Sequence, residues 1–285
     1  MDTQALVDEV WSCELAANEC MLRGDVAGTR ALTSPDLIHF LVDGSRGDLE
    51  RLLGYVAAAR SQGLTAIKPG RVEAIVLAQD AVLLTYPLRA TLVNMGVLRF
   101  EYEHASVLWL RRDLIWHTAW IHASPLADGE SRFAAGDSSG HIISIQERID
   151  GESGAPYVTA AERTWEAINA ERAAVDAFVH HDLAAAEAAT AVDAIIIEVD
   201  GSRRERSSWL SLVGDWHRTL EAPDYGPMQV IAVTNRAMLV AYTMRTRGTY
   251  DGKLFTNAEA LSALWLRQQG TWLNVFSQAS TIIDP

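Results

Sequence analysis

A five-residue string, Val42-Asp43-Gly44-Ser45-Arg46, returns unchanged as Val199-Asp200-Gly201-Ser202-Arg203, displaced by 157 positions. Further on, Trp109-Leu110-Arg111 returns as Trp265-Leu266-Arg267 with a displacement of 156, and Trp116 and Ala123-Ser124 keep that spacing as Trp272 and Ala279-Ser280. Ala81, Tyr86 and Arg89 likewise match Ala237, Tyr242 and Arg245, while Asp25 matches Asp182 at 157. One loop residue lost between the two sets accounts for the change. Register held over such lengths means that the chain is built from two copies of one unit of about 120 residues. We place the first domain at 1–126, a linker rich in Gly, Ser, Asp and Pro at 127–157, and the second domain at 158–285. Inside the linker, His141 to Ile145 reads as a short strand.

Within each copy, helices precede strands. Val7, Val10, Trp11, Met21 and Leu22, and in the second copy Trp165, Ile168, Val175, Phe178 and Val179, recur at three-to-four spacing and predict an amphipathic first helix. Asp25 and Asp182 stand before short Ala-rich segments as N-caps. A strand follows at 37–43 and 194–200, then the Asp-Gly turn, a helix at about 48–60 and 207–218, and three further strands. The last two form a hairpin, for which the Gly270 position suggests a three-residue loop. That register sets His104 opposite His122 and Ala260 opposite Gln278.

With 24 basic and 37 acidic residues, the net charge of -13 repels nucleic acid and anionic membrane surfaces. No apolar run reaches the ~18–20 residues of a membrane span, and the first residues lack the features of a signal peptide, so a cytoplasmic, soluble protein is expected. Cys13 and Cys20, about 10 Å apart on one helix at ~1.5 Å per residue, are too distant for a disulfide. Dinucleotide-binding, Walker, zinc-protease and Gly-x-Ser-x-Gly motifs are absent from the sequence.

Helix, short helix, a strand ending in Asp43-Gly44, another helix, and a meander closing on Trp109, Trp116 and Ser124 resemble the SnoaL-like branch of the nuclear-transport-factor-2-like, ketosteroid-isomerase-like superfamily, and the resemblance covers both copies. It implies an α+β fold of two tandem cone-shaped units, each a curved antiparallel sheet wrapped around helices and enclosing a pocket. It also implies docking of the copies as an intramolecular pseudo-dimer, with a homodimer as a further expectation. The superfamily contains isomerases, cyclases and dehydratases that need no cofactor, and proteins without activity. Two functions therefore stand: a cofactor-independent general acid/base enzyme acting on a small, largely apolar organic molecule, and a non-catalytic binding or assembly protein.

The resemblance places a proton-transferring carboxylate three residues before the turn glycine. That position is Glu198 in the second copy and Leu41 in the first. Glu198 reads either as a pocket acid/base or as a strand residue facing water. His39, His104 and His122 occur only in the first copy, where Ile196, Ala260 and Gln278 are their counterparts. They form either a converging proton-transfer group or a scattered set, and they lack the spacing of a metal site. Tyr86 and Tyr242 are candidate donors to a substrate oxyanion, or shared fold residues. Trp120 and its counterpart Phe276, together with Trp116, are candidate pocket walls. Trp116 and Trp120 share a hairpin face with His104, Ser106, Leu108, Thr118 and His122, and we take that face as the one turned to the pocket.

Overall fold

The computed structural model describes residues 2–127, 129–130, 133, 142–148 and 159–283. Two compact units, Met1–Asp150 and Gly151–Pro285, divide the chain. Each is α+β, a curved sheet with helices against one face.

The first unit opens with α1 (Thr3–Arg23), which Asp2 caps by accepting from the Gln4 N–H and which Gly24 ends in the left-handed conformation at φ 68°. Helix α2 (Val26–Leu32) is capped by Asp25, whose carboxylate accepts from the Gly28 N–H at 2.8 Å. Next come β1 (Thr33–Phe40), β2 (Arg46–Gly47) and α3 (Leu49–Ala59). Strands β3 (Leu64–Pro69), β4 (Val72–Ala78), β5 (Ala81–Asn94), β6 (Val97–Arg112) and β7 (Ile115–Pro125) follow. The sheet order is β2-β1-β7-β6-β5-β4-β8, with β3 also on β5. Its outer strand β8 (Ile142–Glu147) runs parallel to β4, so the strand expected inside the linker exists and belongs to the first sheet. Of the expected linker, residues 128, 131–132, 134–141 and 149–157 lie outside the described residues.

The second unit repeats the plan with α4 (Ala160–Val179), α5 (Leu183–Ala189), β9 (Thr190–Ile197), β10 (Arg203–Arg204) and α6 (Arg206–Val213). Then come β11 (Arg218–Leu220), β12 (Asp224–Tyr225), β13 (Gln229–Ala232), β14 (Ala237–Tyr250), β15 (Lys253–Gln268) and β16 (Thr271–Thr281). The order is β10-β9-β16-β15-β14-β11, with β12 and β13 also on β14. Asp182 caps α5 as Asp25 caps α2. Asp43 and Asp200 accept from the Ser45 and Ser202 N–H groups, beside Gly44 and Gly201 at φ 71° and 73°. Both repeated aspartates thus serve the turn. Helix α6 stops at Val213, well before the expected 218, because Gly214 caps it and Arg218 already pairs in β11.

The last hairpin departs from the expected register for two reasons. Its loop has two residues, Asp113 and Leu114 at φ 52° and 69°, matched by Gln269 and Gly270 at 49° and 84°, which is the positive-φ pattern of a type I′ turn. Beyond it, a bulge at Ala119, repeated at Val275, adds a residue to the returning strand. His104 consequently pairs with Ser124, Ser106 with His122, Ala260 with Ser280 and Ser262 with Gln278. The two-residue loop puts Trp116 on the face of Trp109, where both pack with Val7 and Val10 of α1.

Leu114 is 89% exposed, so its left-handed backbone strain has no packing return. Leu114→Gly, which copies Gly270, should raise stability by about 1 kcal/mol, read as a higher urea midpoint at unchanged slope. An unchanged or lower midpoint would contradict the strain argument.

Candidate functional site

Against the inner face of each sheet, the first helix of the unit carries a buried carboxyl that the repeat reproduces. Glu14 lies on the α1 stripe of Val7 and Val10, and Glu171 holds the matching place on α4, 157 positions on. Glu14 accepts from the Tyr86 hydroxyl at 2.5 Å and the Trp109 Nε1–H at 2.8 Å. Glu171 accepts from Tyr242 and Trp265, both at 2.6 Å. Burial raises the pKa of each carboxyl against the lowering effect of these hydrogen bonds. Burial, and then the adjoining carboxyl, push both phenols well above the usual range. The expected oxyanion donors, Tyr86 and Tyr242, instead give their protons to Glu14 and Glu171, joining helix to sheet.

In the second unit the inner face borders a cavity of about 370 Å³. Apolar groups dominate its walls, among them Val175, Phe178, Trp209, Met244, Leu261 and Trp265. Glu198 and Glu259 are both on its lining. Glu259 lies on β15 opposite Met244, and burial, followed by the charge of Glu198, raises its pKa. Glu198, just past the end of β9, forms an ion pair with Arg204. The first unit repeats half of this arrangement. Glu103 matches Glu259, and burial, then Glu101, push it up to about 7, but Leu41 stands where Glu198 does.

The sequence candidates separate across the sheet. Leu261, Ala263 and Trp265 of β15 border the cavity, and their pairing partners on β16 include Ala279 and Ser277. Phe276 pairs with Leu264 on the opposite face, and Trp120 pairs with Leu108 in the same way. The face that carries His104, Ser106, Leu108 and His122 is therefore turned away from the inner side, which corrects the expected pocket face and places the Trp120 and Phe276 walls outside it. Trp116 packs in the inner core cluster.

The three histidines divide in the same way. His122 packs tilted against Phe40 and edge-on against Trp120, and His104 shares a hydrogen bond at 2.8 Å with Thr85, which in turn meets Ser106 at 2.7 Å. His39 alternates with Phe40 and so lies on the side of Leu37, which packs on α3. Burial, and then Arg51, lower His39 to about 4; burial, and then His39, lower His122 to about 3. Both rings are neutral at pH 7. The expected convergence of all three fails because neighbouring strand residues point to opposite faces. Among the described residues, no group of three or more His, Cys, Asp or Glu is arranged to hold a metal ion. No described helix is long and apolar enough to cross a membrane.

Sequence reasoning missed Glu14, Glu171, Glu103 and Glu259. Each pair recurs at the repeat spacing, and Glu14 interrupts an apolar stripe, so the same comparison that revealed the tryptophans carried the signal.

No family model and no curated protein matches this chain. Solved structures similar to it include an NTF2-like protein of unknown function in nutrient uptake from Rhodospirillum rubrum, at 24% identity and TM-score 0.39, covering 41% of this chain and 98% of that one. An NTF2-like protein from Cytophaga hutchinsonii is 14% identical with TM-score 0.40, covering 44% and 100%. The association domain of C. elegans CaMKII is 19% identical with TM-score 0.38, covering 42% and 95%.

Proposed function

We propose that the second unit is a general acid/base site for a small, largely apolar organic molecule, with Glu259 as the proton-exchanging group and Glu198 as its partner carboxylate. The observation that carries this reading is the pair of carboxyls acting on one another at an apolar cavity. A carboxyl whose pKa is raised by burial and by a neighbouring negative charge holds its proton closer to neutrality than a surface glutamate, which suits it to give and take a proton in one turnover. Glu198, tied to Arg204, supplies the charge that maintains this bias. Tyr242 lines the cavity but contributes through Glu171, as part of the wall. No cofactor enters this scheme, in which a proton leaves the carbon beside a substrate carbonyl and returns to the same or a neighbouring carbon.

The test is deuterium incorporation into 2-tetralone, followed by NMR in D₂O. The wild-type protein should accelerate exchange beside the carbonyl, and Glu259→Gln should remove roughly 10²–10⁴-fold of that acceleration. Glu198→Gln should reduce it as well. Absence of acceleration, or a rate indifferent to both substitutions, would remove the acid/base assignment. A small molecule of a few hundred daltons retained in native mass spectrometry, without such exchange, would favour the binding protein with the same fold.

A further inference from the structure

The cavity of the second unit also contains a cation without an anionic partner. Arg218, the first residue of β11, is 8% exposed and borders the cavity. Its Nη2 donates to the Leu212 carbonyl at 2.7 Å, and its guanidinium carbon lies 3.9 Å above the centre of the Phe178 ring. Its Nε is buried and makes no hydrogen bond. Among the described residues no carboxylate forms an ion pair with it. The largest acidic influence on it comes from Asp215, whose carboxylate accepts from the His217 N–H.

A guanidinium removed from water is costly unless an anion replaces the lost hydration. Phe178 and the Leu212 carbonyl compensate in part, and burial still lowers the Arg218 pKa. Glu171, Glu198 and Glu259 are the other charged groups on the lining; Glu171 is engaged by Tyr242 and Trp265, and Glu198 by Arg204. None of them neutralises Arg218. We propose that the cavity takes an organic monocarboxylate, its carboxylate paired with Arg218 and its apolar body against Phe178, Trp209 and Leu261. The proposal rests on the reading of this cavity as a small-molecule site and names the chemical class that it admits. An arginine presents parallel N–H donors to a carboxylate, a match that an amide of the same shape cannot reproduce.

Calorimetric titration of the full chain at pH 7 with 4-phenylbutyrate and with 4-phenylbutyramide separates charge from shape. The acid should bind at least about tenfold more tightly than the amide. Arg218→Gln should erase that preference, and Arg218→Lys should keep part of it. The comparison of the two probes on the wild-type chain stands even if a variant fails to fold. Equal affinity for both probes, or a preference for the amide, overturns the carboxylate proposal and leaves the cavity reading intact. Binding of 2-tetralone without binding of either probe has the same meaning. Failure of all three compounds to bind overturns the proposal and the small-molecule reading together.

Discussion

Acidification from pH 7 to pH 4 should loosen the first unit while leaving the second firm. His39 and His122 are neutral in the folded chain, held down to about 4 and about 3, against an ordinary value near 6.5. Below pH 6.5 the unfolded chain takes up protons that the folded chain refuses. The contribution of these rings is thus complete above pH 6.5 and is lost as pH falls toward about 4 for His39 and about 3 for His122. For His122, which is fully buried, that difference corresponds to roughly 4–5 kcal/mol; the two rings influence each other, so their effects do not add. Glu14 and Glu103 work in the opposite direction. Their raised values mean a contribution present below about pH 4.5 and lost as pH rises, up to about 7 for Glu103. Acidification through the region from 7 to 4.5 therefore regains part of what the histidines lose.

The second unit has Ile196 and Gln278 at the two histidine positions, and retains the raised carboxyls Glu171 and Glu259. It should gain stability over the same range. Hydrogen exchange resolved by peptide, at a series of pH values and corrected for intrinsic rates, reads both units in one experiment. His122→Gln, which copies the second unit, should flatten the acid loss in β1, β6 and β7. Equal changes of protection in the two units, or an acid loss undiminished in His122→Gln, would show that the neutral buried imidazoles do not set the response.

How much of this was legible in the sequence follows from which signals are local. The repeat exposed the duplicated α+β unit, the helix caps at Asp25 and Asp182, and the turns at Asp43 and Asp200, because each depends on neighbours a few residues away. It also marked Tyr86, Tyr242, Trp109 and Trp265 as shared. What it did not reveal was their partner, since a glutamate in a surface helix is ordinarily solvated and Glu14 and Glu171 are tied across 72 and 71 positions to the tyrosines. The hairpin failed for a different reason. Leu114 is a poor sign of a left-handed turn, and the bulge at Ala119 has no residue signature, yet a one-residue shift exchanges the faces of every residue after it. The loop moved Trp116 to the other face and the bulge restored the expected face from Trp120 onward, which separated Trp116 from Trp120, while His39 is set apart from His122 because it pairs with Ile121 and Phe40 pairs with His122. Glu198 was found on the cavity because its position depends on the Asp-Gly turn alone, whereas Glu259 required the register.

Replacing Glu171 by Ala should cost the second unit roughly 3 kcal/mol or more. The loss exceeds that of an ordinary hydrogen bond because two donors, the Tyr242 hydroxyl and the Trp265 Nε1–H, are left with no acceptor in a region where both side chains are about 1% exposed. Each buried unsatisfied group costs about 1–3 kcal/mol. Glu14→Ala should act similarly on the first unit through Tyr86 and Trp109. Urea unfolding, monitored by exchange in each unit, measures the effect without assuming that the chain unfolds in one step. Glutamine separates shape from charge. Its carbonyl oxygen can serve one donor, while its amide group opposes the other, so Glu171→Gln should fall between wild type and Glu171→Ala. The pH dependence then carries the sign. Burial raises Glu171, so its own contribution is greatest below about pH 4.5 and declines as pH rises. Glutamine does not titrate, and the gap between Glu171→Gln and wild type should therefore be wider at pH 4.5 than at pH 7.5. A gap that widens toward high pH would mean that the carboxylate anion, fully compensated by Tyr242 and Trp265, is the stabilising form, and that burial does not dominate at this position.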